Sequence, residues 1–288
     1  MKRGIDHLVL CVSDLDAAAA FYRRLGFTTT PRAQHPWGTD NSLVQLNNCF
    51  LELLTVARPA LITAVSKKRF SFGAYNQQFL SQREGMSMLV FESTDALADR
   101  EEFISRGLPA YENFHFERST TLPDGSQARV AFTMAFVTDP RLPEAAFFCC
   151  QHHVPEHFWK SEYQSHVNGA NTVHEVIMVA EDPPMLADFF SKIQEPASVT
   201  TRDSRLTVST PRGRIVVITP SDAHHCYGNL NLSGFPRSPF FLGFVIRVPE
   251  LDRVATHLLA NLAPFETSSD SIRVTPDNAF GVLIEFRQ

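Results

Sequence analysis

Along residues 4–12, "GIDHLVLCV", apolar and other side chains alternate with the period of a strand, and Ile5, His7, Val9 and Cys11 share one face. The period then changes. Leu15, Ala18, Phe21, Tyr22 and Leu25 recur at helical spacing; Ser13 or Asp14 is placed to cap this helix and Gly26 to end it. Three short strands are expected next, in "FTTTP" (27–31), "NSLVQLN" (41–47) and "CFLELLTV" (49–56). The unit predicted for this stretch is βαβββ.

The same order recurs. Residues 85–108, "GMSMLVFESTDALADREEFISRGL", lie over the first unit without a gap, with Gly85 on Gly4, Asp95 on Asp14 and Gly107 on Gly26. Strands are expected after it in "AYENFHFERS", "QARVAFTMAFV" and "EAAFFCCQH". A third copy runs from "NTVHEVIMVAEDPPMLADFFSKI" (171–193) to "GRIVVITP", and a fourth from "FFLGFVIRVPELDRVATHLL" (240–259) to "FGVLIEFRQ". Self-similarity on this scale means one supersecondary unit used four times. The fold class is therefore α+β, four βαβββ modules in two pairs, divided as residues 1–168 and 169–288 near Gly169. Residues 57–84, between the first two copies, are predicted to be helical.

Composition narrows the function. With 288 residues, 44% apolar and 20% charged, the chain can bury a sizeable core. A net charge of −5 without a basic run disfavours nucleic acid and anionic membranes as partners. No stretch approaches eighteen uncharged apolar residues, and "MKRGIDHL" lacks a signal-peptide core, so a cytoplasmic location is expected. The five cysteines form no C-x-x-C pair and read as buried, reduced thiols. Phe, at 24 residues, points to cores or cavities walled with aromatic rings. Nucleophile-elbow, zincin, P-loop and dinucleotide motifs are all missing.

Two residues interrupt strands otherwise built for a core: His7 in "GIDHLVLCV" and Glu52 in "NCFLELLTV". A carboxylate between Leu51 and Leu53 is costly to bury unless a cation or donors satisfy it. Imidazole and carboxylate together suit one divalent ion such as Zn, Fe, Mn, Co or Ni. A hydrogen-bonded structural pair is the plainer alternative.

The paired βαβββ plan, with "DHLVLCVSDLDAAAAFYRRLGF" at its front, resembles the vicinal oxygen chelate superfamily of glyoxalase I, bleomycin-resistance proteins and extradiol dioxygenases. "HPWGTDNSLVQL", "FLELL", "FFCCQHHVPEHFW" and "HVNGAN" narrow the resemblance to the bacterial glyoxalase-like domain family over roughly residues 1–175. It implies that each pair of modules curls into a half-open β-barrel whose cleft holds a divalent metal, with His7 and Glu52 on ligand positions. It also implies that the second module supplies further ligands, and there the pattern departs. Met88 takes the place of His7 and Cys149 that of Glu52, which leaves His152 as the candidate third ligand. The loop "HPWGTDNS" borders the cleft in the resembling family, so His35 and Asn41 are expected substrate contacts, although turn chemistry explains them equally well. Arg118 and Arg129, on strands flanking a predicted "PDG" turn at 123–125, can converge on an anionic substrate or stand solvated. In the second half Glu285 mimics Glu52, but Glu175 and Gly243 occupy the first-strand positions, which reads as a degenerate copy.

The function expected is that of a metal-dependent lyase, isomerase or dioxygenase acting on a small vicinal-oxygen molecule, with Glu52 as ligand or catalytic base. The alternative is a metal-free protein that sequesters a small hydrophobic or aromatic ligand. Its partners are then a small molecule and, at most, a second copy in a homodimer.

Overall fold

The computed structural model describes residues 3–121, 125–228 and 230–288, so Pro123 and Asp124 of the predicted turn lie outside the described residues. The first module is β1 (Ile5–Cys11), α1 (Leu15–Arg24), β2 (Ala33–Gln34), β3 (Thr39–Gln45) and β4 (Phe50–Val56). After α2 (Phe72–Leu80) comes the second module, β5 (Gly85–Ser93), α3 (Ala96–Ser105), β6 (Phe114–Thr121), β7 (Gln127–Val137) and β8 (Ala146–His152). The short α4 (Pro155–Phe158) precedes the third, β9 (Thr172–Val179), α5 (Ala187–Ile193), β10 (Val199–Arg202), β11 (Arg205–Ser209) and β12 (Arg214–Ile218). After α6 (Pro220–Tyr227) follows the fourth, β13 (Phe240–Arg247), α7 (Leu251–Ala260), β14 (Glu266–Thr267), β15 (Ser271–Val274) and β16 (Leu283–Arg287).

The gapless repeat is visible in local chemistry. Asp14 accepts a hydrogen bond from the Ala17 amide to cap α1, and Asp95 accepts from Leu97 and Ala98 to cap α3. Gly26 and Gly107 follow those helices at φ of 93° and 74°, where an L side chain is strained. Two local expectations fail. Residues 27–31 form no strand: the Thr30 amide bonds to the Leu43 carbonyl, but the Leu43 amide goes to the Thr30 hydroxyl rather than its carbonyl, and Thr28 donates to the Ser165 carbonyl. In 57–84 the α-helix is confined to Phe72–Leu80, capped by Ser71.

Each pair of modules makes one eight-stranded sheet, ordered β2-β3-β4-β1-β5-β8-β7-β6 and β10-β11-β12-β9-β13-β16-β15-β14. β1 runs parallel to β4 and antiparallel to β5, so a local twofold relates the modules: His7 faces Val90 and Val9 faces Met88. The module helices α1, α3, α5 and α7 lie where the two sheets meet, and α2 and α6 pack on the outer faces. Leu8, Leu53 and Phe147 of the first sheet join Met178, Phe241 and Phe286 of the second in one buried cluster. The Phe147 ring touches Phe189, Phe190 and Phe241 across this seam, at centroid distances of 5.2, 5.6 and 5.5 Å. Each sheet's other face carries its own apolar cluster. A register shift between Ile5 and His7 moves Ile5 to the helix side, while His7, Val9 and Cys11 keep the outer face. No helix among the described residues is long and apolar enough to cross a membrane.

Candidate active site in the first half

The outer face of the first sheet curls around a chamber of about 60 Å³. Trp37, Phe72, Phe116, Phe132, Phe148 and Phe158 wall it, and His7, His35, Asn41, Glu52 and Arg118 are its polar lining. Parallel pairing sets Glu52 beside Val9, one pleat from His7 on the same face. The His7 ring stacks on Phe50 at 4.2 Å, its Nδ1 lies 2.5 Å from Asp6 Oδ2, and its Nε2 lies 3.8 Å from Glu52 Oε2. Glu52 Oε1 accepts a 2.7 Å hydrogen bond from Asn41 Nδ2. His35 stacks on Trp37 and meets Thr39 Oγ1 through Nδ1, which leaves its Nε2 facing Glu52 Oε1 at 4.0 Å. Four of the residues singled out in the sequence, His7, His35, Asn41 and Glu52, therefore meet in one chamber.

Burial dominates its electrostatics. Glu52 is 6% exposed, and burial pushes its pKa up against the pull of His7, Asn41 and Arg118. Burial, assisted by Arg118 and Arg58, pushes His35 down to about 3, so its imidazole is neutral at physiological pH. Burial would raise Asp6 as well, but the charges and hydrogen bonds of His152 and His7 outweigh it and hold the carboxyl below its usual range.

Other expectations come out differently. Val90 pairs with Phe148 as Val9 pairs with Glu52, so the counterpart of Glu52 is Phe148; Cys149 faces the helix-side core. Arg129 does not converge with Arg118. Alternation along β6 and β7 places it with Glu117, 2.9 Å away and exposed, whereas Arg118 lines the chamber. His152 is outside the chamber lining, with Nε2 3.3 Å from Asp6 and its ring edge-on to Phe158. Among the described residues, Asp6, Cys150 and His152 form a second donor cluster, their ligand atoms all within 4.8 Å of one another. Asp6 was not foreseen. A second acid beside His7 in an apolar strand was the available signal, but strict alternation assigns it to the opposite face.

A family model described as a glyoxalase-like domain matches residues 5–193. The chain belongs to the glyoxalase-like domain family. No curated protein matches the sequence significantly. The crystal structure of a hypothetical protein from Staphylococcus aureus matches this glyoxalase-like chain at TM-score 0.69 and 11% identity, over 99% of both chains. A mutant 4-hydroxymandelate synthase from Streptomyces coelicolor matches at 0.57 and 10%, over 99% of this chain and 92% of that one. A xylose isomerase-like TIM barrel/4-hydroxyphenylpyruvate dioxygenase fusion protein matches at 0.57 and 10%, over 100% of this chain and 49% of its own. Identities this low establish a shared fold and no shared reaction.

Proposed function

We propose that this glyoxalase-like chain is a metal-dependent enzyme acting on a small substrate with two neighbouring oxygens. The observation that carries the reading is the approach of His7 Nε2 and Glu52 Oε2 to 3.8 Å inside an aromatic-walled chamber. The donor set fits a divalent ion of the Zn, Fe, Mn, Co or Ni kind, held by His7 and Glu52 with His35 Nε2 at hand. Asp6 on Nδ1 of His7 is the kind of partner that fixes the ring of a ligating histidine. Glu52 has one side-chain hydrogen bond, from Asn41, and is otherwise a buried carboxylate in need of positive charge.

When bound, the ion supplies Lewis-acid polarisation of the substrate's oxygens. Asn41 holds Glu52 Oε1 and so aims Oε2 toward His7. The aromatic walls exclude water. Glu52 Oε2 would be the atom to accept a proton from a substrate carbon only when it does not hold the ion, and burial makes it a stronger base than a solvated carboxylate.

The binding-protein reading gains from Met88 and Phe148, which give the second module no donor at the symmetry-related positions. Volume counts against a ligand enclosed in the chamber alone. A dry cavity of about 150 Å³ accommodates benzene, and this chamber offers 60 Å³.

Metal content after purification without chelator or tag metal tests the proposal. About one divalent ion per chain is expected, abolished in both His7→Ala and Glu52→Gln and retained in Cys150→Ala. Loss in Cys150→Ala with retention in Glu52→Gln would transfer the ion to the Asp6–Cys150–His152 cluster. A protein that takes up none of the five metals is no metalloenzyme.

A further inference from the structure

Asn41, Leu43, Arg118 and Phe158 line both the chamber and an adjoining vestibule of about 450 Å³, and form the rim between them. The two spaces differ in kind. The chamber has room for only a few water-sized groups, since a water needs roughly 10–15 Å³ on this measure. The vestibule is in the size range of ordinary small-molecule sites, about 300–1,000 Å³. Its lining is mixed, with Leu43, Val130 and Phe158 beside Thr30, Gln45 and the cations Arg32, Arg118 and Lys160, and it includes no Asp or Glu among the described residues.

Arg118 stands out within that lining. Arg32 is engaged, its Nε 2.9 Å from Asp40 and its NH1 3.0 Å from Asp16. The Arg118 guanidinium makes no hydrogen bond or ion pair among the described residues; it acts at longer range on Glu52 and His35, across the chamber. A half-buried guanidinium without a protein partner is free to take one, and a carboxylate engages it through two parallel hydrogen bonds. Alternation along β6 sets this side chain at the junction of the two spaces, while Glu117 takes the other face with Arg129.

We infer that the substrate is a carboxylic acid: Arg118 grips its carboxylate at the rim, its body occupies the vestibule, and only the adjoining oxygen-bearing carbon enters the chamber. The inference rests on the reading of the chamber as the reaction site. Chamber size sets the geometry. The reacting carbon lies about one or two bonds from the carboxylate, because nothing longer fits beyond the rim.

The chain has two tryptophans, and Trp37 lines the chamber. In a Trp159→Phe background its fluorescence therefore reports occupancy. The probes are malate and 2-oxoglutarate, their dimethyl esters, and inorganic phosphate. Saturable quenching by the acids and none by the esters is expected. Arg118→Gln should weaken acid binding by about 10- to 100-fold, the range for a charge-assisted hydrogen bond. Arg118→Lys should restore part of it, and Arg129→Gln should leave it unchanged. Esters binding as well as acids, phosphate binding more tightly than either acid, unchanged binding in Arg118→Gln, or no response to any probe would each overturn the inference. Chelator-treated protein keeps the two readings apart. Arg118-dependent binding without any metal uptake leaves this inference standing alone, and metal uptake without Arg118 dependence removes this inference alone.

Discussion

The outer faces of the two sheets are built on the same register and treat their buried carboxylates in opposite ways. Glu285 pairs with Val245 across parallel strands as Glu52 pairs with Val9, and it is completely buried. Arg273 Nε reaches its Oε1 and Arg287 NH2 its Oε2, each at 2.8 Å. Glu175, in the place of His7, is held by Arg214 at 2.6 Å. Gly243 stands where the first half has Met88, and a Cβ there would lie 1.9 Å from the Leu283 carbonyl oxygen, so no ligand side chain can be installed. Two guanidinium partners leave Glu285 nothing to offer an ion. One amide and two nearby imidazoles leave Glu52 short of charge compensation. The fold is shared, and the difference between a structural and a functional carboxylate lies in what the neighbouring strands bring to it.

The sharpest way to break this comparison is to neutralise both acids. Glu285→Gln strands Arg273 and Arg287 in a largely buried site and should cost about 3 kcal/mol, within the range for breaking a buried ion pair. For a chain of this size that is roughly 6–12 °C in Tm. Glu52→Gln removes a buried charge with one hydrogen-bonded partner and should stay within about 1 kcal/mol of wild type, in either direction. Thermal melts of the two variants decide the matter; equal losses would mean that Glu52 is as structural as Glu285.

Asp6→Asn sharpens the comparison from the other side. In the first half a carboxylate serves a histidine, whereas every acid of the second-half network serves an arginine. Losing the Asp6 contact to His7 Nδ1 should weaken metal binding by about 10- to 100-fold while leaving the chamber walls intact. Titration with a competing chelator measures it. An unchanged affinity would make Asp6 a purely structural partner of His152.

How much of this was legible depended on whether the deciding interaction lay along the chain or across it. The modules were legible because strand and helix periods, the Asp14/Asp95 caps and the Gly26/Gly107 ends recur at a constant offset. His7 and Glu52 were legible because a titratable side chain in an apolar run is costly. The counterpart of Glu52 was missed by one residue, Cys149 for Phe148, and a one-residue change of register reverses the face of every side chain. Asp6 was hidden by the irregular pairing between Ile5 and His7. Arg118 and Arg129 could not be told apart because only the strand ladder decides which of two alternating faces looks inward. The arginines that neutralise Glu285 and Glu175 come from partner strands and from two residues along the same strand, and an apolar "VLIEF" announces none of them.

The smallest effect concerns the seam that joins the two halves. His166 Nδ1 accepts from the Thr28 amide and Nε2 donates to the Gln45 carbonyl, while Arg253 of α7 bonds to the neighbouring Val167 carbonyl. The Nδ1 contact requires the neutral form, and burial lowers the pKa of His166 from its ordinary 6.5, partly offset by the Gln45 bond. The unfolded chain takes up this proton at about pH 6.5 and the folded chain only at lower pH, so between those values the unfolded state binds more protons. The stabilising contribution is therefore complete above about pH 6.5 and is lost as pH falls from there toward the folded pKa. His166→Gln can keep both hydrogen bonds without titrating. Between pH 7.5 and 5.5 wild type should lose on the order of 1–2 °C more in Tm than this variant. Since Phe147 already packs both sheets into one cluster, that shift should move a single melting transition. A shift confined to one of two resolved transitions would show that the halves, for all their shared core, unfold as separate domains.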